Sequence, residues 1–285
     1  MNQRTWTIRD VLDWATKDFG ARGIESPRLD AELLVARALG VDRIGLYLDL
    51  GRPLLEEERG AIRELLIRRR EREPVAYIVG HRDFYGRRFS VTPGVLIPRP
   101  DTETLVEHAL RLIPPDVPLR VADVGTGSGA IAISLAAERP RVHVVATDVS
   151  QEALRVASSN ALAMGVSDRI RFEEANLFGP EGSFDLVLSN PPYVRAADIP
   201  HLQEEVRDYE PFTALAGGED GLDVVRALIA RAAEVTVTGA QMLVEIGAGQ
   251  ARAVEAIAKE SAAWQYDSTY LDLNRIERVA HLRRT

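Results

Sequence analysis

The stretch Val121–Ala136, "VADVGTGSGAIAISLA", decides the fold. Apolar residues precede three glycines, at positions 125, 127 and 129, and a run rich in alanine and isoleucine follows them. Glycine adopts the backbone conformations of a tight turn and lets the backbone come close to a ligand. The order therefore predicts a buried β-strand, a sharp glycine turn, and a helix whose first N–H groups point at a bound molecule.

The sequence after this stretch alternates between strand-like and helix-like segments. Such alternation is typical of a parallel sheet covered by helices, so we predict an α/β domain with a doubly wound, mostly parallel Rossmann-like sheet. Strands are expected at 120–123, 142–147, 170–173, 184–188 and 241–246, with 265–271 and 278–282 as an antiparallel pair at the sheet edge. Helices are expected at 130–138, 151–164, 222–234 and 251–260.

The N-terminal part of the chain has helical periodicity. Ser26 is a candidate N-cap, Pro27 suits the first helical position, and Gly40 follows the last turn. Apolar residues also recur at helical spacing in 8–19 and 54–67. Acidic and basic residues balance in this part, so we expect a small neutral helical bundle that serves packing or substrate docking.

Three parts are therefore expected along the chain. Residues 1–73 form a helical N-terminal domain, residues 74–100 a linker with a β-hairpin at 77–91, and residues 101–285 the α/β domain. Between positions 63 and 88 there are eight arginines and four acids. This excess of positive charge indicates either a solvated helix end with an exposed hairpin, or a basic rim that meets an acidic or RNA-associated partner.

The composition excludes several classes of protein. Without cysteine there are no disulfides, thiolate zinc sites or cysteine nucleophiles, and the five histidines are too scattered to predict a metal site. The net charge of −8 argues against stable nucleic-acid binding. No apolar run approaches the roughly 18 residues of a membrane helix, and no stretch resembles a signal peptide. We expect a cytoplasmic protein that does not contact a membrane.

The spacing of the glycines distinguishes between cofactors. A dinucleotide site has the order G-x-G-x-x-G, whereas this chain has D-x-G-x-G-x-G, with Asp123 before the turn. An acid at that position suits a cationic group, such as the ammonium of a methionine moiety, and repels a pyrophosphate. An NAD-dependent oxidoreductase is accordingly disfavoured.

Three further residues favour S-adenosylmethionine as the cofactor. Asp148 ends the second strand, where an acid accepts both ribose hydroxyls of an adenosine. Asn176 and Leu177 follow the third strand and are expected to touch the adenine. The complete set of predicted cofactor-binding residues is Asp123, Gly125, Thr126, Gly127, Ser128, Gly129, Asp148, Asn176, Leu177 and Asn190.

A rigid corner follows the fourth strand, in the sequence "LSNPPYV", Leu188–Val194. Prolines fix φ and donate no backbone N–H, so two of them end the strand and leave carbonyl acceptors without nearby donors. In a doubly wound sheet the first and fourth strands are neighbours, and ligands bind beyond their carboxyl ends. The glycine turn and Asn190–Tyr193 should therefore face each other, with cofactor on one side and methyl acceptor on the other.

Six motifs in this order resemble the release-factor glutamine N5-methyltransferases. They are "EPVAYIVGHRDFYG", "VLIPRPDTETLVE", "VADVGTGSGAIAISLA", "SNPPYV", "EVRDYEPFTALAGGEDGLD" and "LVEIGAGQ". The resemblance covers the hairpin and the whole α/β domain, and the N-terminal "SPRLDAELLVARALG" also fits. It implies a methyltransferase that uses S-adenosylmethionine, releases S-adenosylhomocysteine, and modifies the glutamine of the Gly-Gly-Gln loop of bacterial class 1 release factors.

The resemblance also implies roles for individual residues. Asn190, Pro191, Pro192 and Tyr193 are expected to be catalytic and to bind the substrate. The Asn190 Oδ1 and the Pro191 carbonyl would accept the two N–H bonds of the glutamine amide, while Tyr193 packs against the amide plane near the cationic methyl. Arg99 is expected to bind substrate at the entrance of the site, with Thr102 and Glu103 shaping it. The N-terminal bundle would hold the release factor, and a monomer is expected.

One departure from the family pattern concerns the cofactor site. Asn176 stands where the family commonly has an aspartate, so weaker or altered cofactor binding is expected. Two other functions remain open at this point: a methyltransferase for adenine N6 or cytosine N4 in DNA or RNA, and a non-catalytic cofactor-binding partner of release factors. A base methyltransferase should carry a basic region that binds and flips its nucleotide, whereas this chain is acidic overall.

Overall fold

The computed structural model describes residues 5–180 and 182–285. The chain divides into two compact units. The first contains the described residues up to Gly80 together with the later segment Glu204–Tyr209, and the second contains His81–Gln203 and Glu210–Thr285.

The first unit is helical. Its helices are α1 (Ile8–Ala21), α2 (Pro27–Leu39), α3 (Arg43–Leu48), α4 (Glu56–Arg70), α5 (Val75–Val79) and α9 (Glu204–Tyr209). Helix α1 begins with a capping box, in which the Thr7 hydroxyl accepts from the Asp10 N–H and the Asp10 carboxylate accepts from the Thr7 N–H. Helix α2 starts at Pro27 and is followed by Gly40 in the left-handed conformation, as predicted. Ser26 occupies the N-cap position but makes no side-chain capping hydrogen bond.

A buried arginine joins three helices of the first unit. Arg69 on α4 donates to Asp30 on α2 at 2.7 Å and to Glu205 on α9 at 2.8 Å. Arg72 donates to the other oxygen of Glu205 at 2.7 Å. The phenol of Tyr209 donates to the Glu71 carbonyl at 2.5 Å. These contacts explain why Glu204–Tyr209 belongs to the helical unit although it lies late in the sequence.

Most arginines between 63 and 88 are paired with acids inside their own unit. The pairs within the first unit include Arg68–Glu73, Arg70–Asp18 and Arg72–Glu205, and those within the second are Arg87–Glu138 and Arg88–Asp83. Their charge is largely neutralised by the chain itself. This pattern favours the solvated-surface interpretation of the arginine-rich stretch over a basic rim.

The second unit contains a two-stranded hairpin and a seven-stranded sheet. The strands are β1 (His81–Phe84), β2 (Arg87–Ser90), β3 (Leu119–Val124), β4 (Val142–Asp148), β5 (Ile170–Glu174), β6 (Phe184–Ser189), β7 (Thr236–Glu245), β8 (Trp264–Leu271) and β9 (Glu277–Arg284). The helices are α6 (Glu103–Leu112), α7 (Ala130–Glu138), α8 (Gln151–Ala163), α10 (Asp223–Val235) and α11 (Ala251–Glu260). Single 3₁₀ turns occupy Pro100–Thr102, Ser167–Arg169, Ile199–His201 and Phe212–Ala214.

The sheet has the predicted doubly wound topology. Its strand order is β5-β4-β3-β6-β7-β9-β8, with parallel pairing from β5 to β7 and antiparallel pairing of β9 with both β7 and β8. Alternate strand residues enter two cores. Val121 and Leu186 pack with the hairpin and with α6 and α7 on one face, whereas Ala122 and Val187 pack with α10 and α11 on the other. Because β3 and β6 are neighbours, the glycine turn and the proline corner leave the sheet side by side.

The hairpin was predicted too long. It spans His81–Ser90 with its turn at Tyr85 and Gly86, whereas the apolar residues Val75–Val79 form the short helix α5, which ends at Gly80 in the left-handed conformation. Helices α3, α6 and α9 were also not predicted. Among the described residues, no helix is both long and apolar enough to cross a membrane.

Candidate active site

A cavity of about 190 Å³ lies beyond the carboxyl ends of β3, β4 and β6. Its wall consists of the glycine turn after β3, the end of β4, the loop after β5 and the corner after β6, together with parts of 94–96 and 211–214. All of these segments belong to the second unit. The cavity therefore occupies the switch point of the sheet, where parallel α/β folds bind their ligands.

The glycine turn has the backbone conformation that its sequence predicts. Gly125, Gly127 and Gly129 have φ values of 73°, 56° and 83°, in the left-handed region that glycine tolerates best. The Gly125 and Thr126 N–H groups both donate to the Thr147 carbonyl, which fixes the turn against β4. A Cβ at Gly129 would lie 2.8 Å from the Ile133 Cδ1 and 3.1 Å from the Ala157 Cβ, so α7 and α8 pack closely around this glycine.

Asp123 lies beneath the glycine turn and is completely buried. Its Oδ2 accepts from the Thr126 hydroxyl at 2.7 Å and from the Ala132 N–H at 3.1 Å. The Oδ1 is buried and has no hydrogen-bond partner among the described residues. Burial raises the pKa of Asp123 to about 6. A buried acceptor without a partner is costly, and a cationic ligand group would satisfy it.

Asp148 forms the adjacent part of the cavity wall. Its Oδ2 accepts from the Gly127 N–H and its Oδ1 from the Ser150 N–H, both at 2.9 Å. Each carboxylate oxygen retains a further lone pair, so the side chain can also accept two vicinal hydroxyls. Asn176 and Leu177 line the same cavity. Leu177 has a φ of 71°, an unusual conformation for leucine, and its carbonyl accepts from the Thr147 hydroxyl.

Asn190 is oriented by a side chain that lies 88 residues earlier in the chain. Its Nδ2 donates to the Thr102 Oγ1 at 3.1 Å. With the amide nitrogen directed at Thr102, the Oδ1 has no donor among the described residues and is available to the cavity that Asn190 lines. The preceding residue, Ser189, is anchored by its hydroxyl to the Val124 carbonyl at 2.8 Å, which ties β6 to β3.

Tyr193 is held by the loops that pack behind it. The Gln250 side chain donates to the Tyr193 carbonyl at 3.1 Å. A Cβ at Gly217 would lie 2.8 Å from the Tyr193 Cα, and one at Gly221 would lie 2.4 Å from the Tyr193 carbonyl oxygen. These two glycines belong to "LAGGEDGLD" and let the loop press directly on the corner.

The phenol of Tyr193 contacts a fully buried acid. Its OH lies 3.3 Å from the Oε1 of Glu245, the last residue of β7. Burial raises the pKa of Glu245 to about 7, while interactions with the Thr102 hydroxyl and the Arg278 guanidinium favour its charged form. Burial also raises the pKa of Tyr193, so the phenol keeps its proton and acts as a donor.

Arg99 is bound to an acid of its own unit. Its guanidinium donates to Glu210, whose side chain is almost completely buried, and the other oxygen of Glu210 accepts from the Ile97 N–H at 3.4 Å. About a third of the Arg99 side chain is exposed. Its assignment to substrate binding stays a prediction.

The neighbouring residues Thr102 and Glu103 lie outside the cavity wall, and their role in shaping its entrance stays a prediction. Thr102 is buried and contacts Asn190, and Glu103 accepts from the Tyr85 N–H at 2.8 Å, which attaches the hairpin to α6.

The structure brings together most of the predicted site. The predicted residues that line the cavity are Gly125, Gly127, Asp148, Asn176, Leu177, Asn190, Pro191 and Pro192. The predicted residues outside its wall are Asp123, Thr126, Ser128, Gly129, Tyr193 and Arg99. Sequence reasoning missed Glu245, although an acid that ends the apolar strand "MLVE" was a visible signal. It also missed the contribution of Gly94–Leu96.

The glycine turn and the hydrogen-bond acceptors next to it fit S-adenosylmethionine. A glycine turn allows close approach, the unpartnered Oδ1 of Asp123 suits an ammonium group, and Asp148 suits ribose hydroxyls. Within the described residues, no group of three or more His, Asp or Glu side chains is arranged to hold a metal ion.

Two family models match the chain. The model described as "PrmC N-terminal domain" matches residues 10–80, and the one described as "Methyltransferase small domain" matches residues 101–205. Among solved structures, a methyltransferase from Pyrococcus furiosus superimposes with a TM-score of 0.52 at 16% identity, covering 70% of this chain and 89% of that chain. At this identity the similarity shows the fold alone, a Rossmann-like α/β fold.

Curated relatives match nearly the full length of the chain. The release factor glutamine methyltransferase of Geobacter sulfurreducens is 47% identical over 251 residues, covering 87% of each chain. The enzyme of the same name from Koribacter versatilis is 41% identical over 274 residues, covering 96% of this chain and 97% of the relative. The chain belongs to the release factor glutamine methyltransferase family.

Proposed function

We propose that this chain transfers a methyl group from S-adenosylmethionine to the side-chain amide nitrogen of the glutamine in the Gly-Gly-Gln motif of class 1 release factors. One observation carries the proposal: Thr102 holds the Nδ2 of Asn190 and leaves the Oδ1 unpartnered at the cavity. An amide N–H is a matching donor for that oxygen. Family membership supports the choice of protein substrate.

The cofactor would lie between the glycine turn and the loop after β5. When bound, it supplies an electrophilic methyl group on a sulfonium centre. Asp123 Oδ1 would accept from the ammonium, Asp148 from the ribose hydroxyls, and Asn176 from the adenine amino group. Asn176 offers only one carbonyl oxygen as acceptor, and we expect it to bind the adenine amino group more weakly than a carboxylate.

The glutamine amide nitrogen that receives the methyl group needs to be oriented more than it needs a general base. An amide nitrogen is a poor nucleophile because its lone pair is delocalised into the carbonyl. The Asn190 Oδ1 and the Pro191 carbonyl would accept its two N–H bonds and aim the nitrogen at the methyl group in line with the leaving sulfur. Holding reactants in this way supplies several kcal/mol of the barrier reduction in favourable cases. The methylated amide then loses its extra proton readily to water.

The corner supplies a rigid frame for this arrangement. Pro191 and Pro192 fix the backbone, so the Pro191 carbonyl that accepts from the substrate amide does not have to be ordered when the substrate binds. Tyr193 packs beside the amide plane and, with its phenol held by Glu245, places an aromatic face near the cationic methyl. Arg99 would bind backbone groups of the release-factor loop.

The helical unit is the proposed docking module for the release factor. In this assignment residues 1–73 dock the substrate, residues 74–100 are the linker between the two domains, and residues 101–285 carry out methyl transfer. The acidic net charge and the internal pairing of the arginines between 63 and 88 support a protein substrate, not a nucleic acid. We expect a monomer that forms no stable complex with nucleic acid and acts in the cytoplasm.

Transfer of a labelled methyl group tests the proposal. Purified unmethylated class 1 release factor and total RNA would be incubated with the protein and labelled S-adenosylmethionine in the same tube. Label in the release factor, and none in RNA, is the expected result. Label in RNA alone would replace the proposal by a base methyltransferase. Cofactor binding without transfer to either would favour a non-catalytic partner.

A further inference from the structure

Two segments of the cavity wall that are far apart in the sequence are joined by the buried carboxylate of Glu210. The segments are 94–96 and 211–214. Glu210 directly precedes the second segment, and its hydrogen bonds reach the residues that follow the first one. Its Oε1 accepts from the Arg99 guanidinium and its Oε2 from the Ile97 N–H at 3.4 Å. The Glu210 side chain is 1% exposed, so these hydrogen bonds are shielded from water.

The first segment lies against the start of helix α8, close to Asp148. The Thr92 hydroxyl donates to the Glu152 Oε1 at 3.2 Å, and a Cβ at Gly94 would lie 2.2 Å from the Glu152 Cδ. Glu152 belongs to the first turn of α8, directly after the loop that begins at Asp148. Segment 94–96 therefore borders the part of the cavity in which Asp148 would bind the ribose.

The second segment lies against the proline corner. The Val194 N–H donates to the Leu215 carbonyl at 3.0 Å, and the Gly217 N–H donates to the Val194 carbonyl at 2.9 Å. These hydrogen bonds attach the end of the corner to the chain that directly follows 211–214. Glu210 therefore connects the cofactor side of the cavity to the side at which the acceptor amide would enter.

We propose that Glu210 is a positioning residue for S-adenosylmethionine: its carboxylate holds segments 94–96 and 211–214 at a fixed spacing, so that the cofactor is enclosed between them. Glu210 itself touches neither cofactor nor substrate. Without its hydrogen bonds the two segments could separate, and ordering them again would cost part of the free energy of cofactor binding. The inference rests on the cofactor site of the proposed function, but not on the identity of the methyl acceptor.

Two variants remove the connection in different ways. Glu210→Gln keeps the side-chain volume, but it places an amide NH₂ group against one of the two donors, the Arg99 guanidinium or the Ile97 N–H. Arg99→Met combined with Glu210→Leu removes both charges together, so no buried charge is left unpaired and the fold should be preserved. The matched control is Asp185→Asn. Asp185 also accepts from a backbone N–H, that of Arg120 at 2.8 Å, but near the amino end of β6 and therefore at the opposite edge of the sheet from the cavity.

Amide hydrogen exchange without cofactor, followed by mass spectrometry of peptides, tests the connection itself. In Glu210→Gln the peptides that contain 94–97 and 211–216 should exchange faster by on the order of tenfold, while those from β3 and α7 keep their wild-type rates. Asp185→Asn should leave both segments unchanged. Wild-type exchange at both segments in Glu210→Gln would overturn the proposal, and so would faster exchange throughout the second unit, which would indicate a general loss of stability.

Isothermal titration with S-adenosylmethionine tests the consequence, at a temperature at which circular dichroism shows every variant folded. The dissociation constant should rise by on the order of tenfold in Glu210→Gln and in the double variant, and stay within about twofold in Asp185→Asn. Wild-type affinity in both Glu210 variants would contradict the positioning role, even if the wild type methylates release factor. If the wild type methylates no release factor but its cofactor affinity depends on Glu210, the proposed substrate is wrong and the positioning role stands.

Discussion

Asn190 and Asp148 line the same cavity but serve different partners, and substitution should separate their effects. Asn190→Ala removes an acceptor aligned on the transition state, so we expect kcat to fall by about 10²-fold or more with cofactor affinity within about tenfold. Asp148→Ala should chiefly raise the dissociation constant of S-adenosylmethionine. Calorimetric binding together with steady-state kinetics on each variant checks both results. Near-normal turnover in Asn190→Ala would refute the role given to the corner.

The buried carboxyl of Asp123 predicts that cofactor binding depends on pH. Its pKa in the folded protein is raised to about 6, so the group is protonated at low pH and ionised at neutral pH. A cationic ammonium binds the ionised form, and the affinity for S-adenosylmethionine should rise as pH increases through about 6 and level off above it. Isothermal titration between about pH 5 and 8 measures this.

The control for that prediction is Asp123→Asn. Its amide oxygen keeps one acceptor for the Thr126 hydroxyl or the Ala132 N–H but cannot ionise. We expect weaker binding and no increase through the same pH range. An equally steep pH dependence in Asp123→Asn would assign the titration to another group.

The site residues differ in how well their positions and contacts could be predicted from the sequence. Asp148 and Asn190 end buried strands of a recognisable topology, so their meeting at one cavity could be predicted. Thr102 and Glu245 reach the corner from a 3₁₀ turn and from another strand, and nothing in local spacing specifies those contacts. For Asp123, the position before the glycine turn could be predicted from the sequence, but the complete burial of its side chain below the turn could not.

At the scale of elements, the loop "LAGGEDGLD" should control the corner through its glycines. Gly217→Ala places a Cβ 2.8 Å from both the Pro192 carbonyl oxygen and the Tyr193 Cα, and backbone atoms cannot move aside cheaply. We expect kcat to fall by on the order of tenfold or more while the protein remains folded.

The matched control is Gly60→Ala in helix α4. A Cβ there meets no atom within 4 Å, and alanine is preferred over glycine in a helix interior by about 1 kcal/mol. This variant should keep its turnover and unfold at slightly higher urea concentration. Equal turnover in Gly217→Ala and Gly60→Ala would show that the loop does not hold the corner.

Elements were predicted where one pattern dominated the sequence. Helices α7 and α11 have the predicted bounds, since α7 is a continuous apolar run that begins at the glycine turn and α11 has a clear apolar periodicity. The apolar segment Val75–Val79 is rich in β-branched and aromatic residues and was interpreted as strand, yet it forms a single helical turn closed by Gly80. Helix α6 was missed because its first residues, 103–107, were interpreted only as the end of the motif "VLIPRPDTETLVE" and the rest received no assignment. Short elements depend on tertiary packing, which local propensity does not report.

At the scale of the whole molecule, a short segment late in the sequence belongs to the N-terminal helical unit. The chain leaves the second unit after Gln203, contributes Glu204–Tyr209 to the helical unit, and returns at Glu210. Arg69→Met would leave the buried Asp30 without its partner and Glu205 with Arg72 alone, so we expect the free energy of unfolding of the helical unit to fall by about 3 kcal/mol. Urea unfolding followed by circular dichroism measures the change.

Arg63→Met is the control on the same helix. Arg63 is exposed and has no hydrogen-bond or ion-pair partner in the part of the chain that the structure describes. Its substitution should change stability by no more than about 0.5 kcal/mol. If Arg69→Met were as stable as Arg63→Met, the buried network would not anchor Glu204–Tyr209.

The central claim is that the cavity and its corner methylate one glutamine amide of a release factor. Tandem mass spectrometry of an unmethylated class 1 release factor, after incubation with the protein and S-adenosylmethionine, tests it most directly. The account predicts the gain of one methyl group on the side chain of the Gly-Gly-Gln glutamine, absent with Asn190→Ala at matched times. An unmodified glutamine, or a methyl group on another residue, from a protein that binds the cofactor would contradict it.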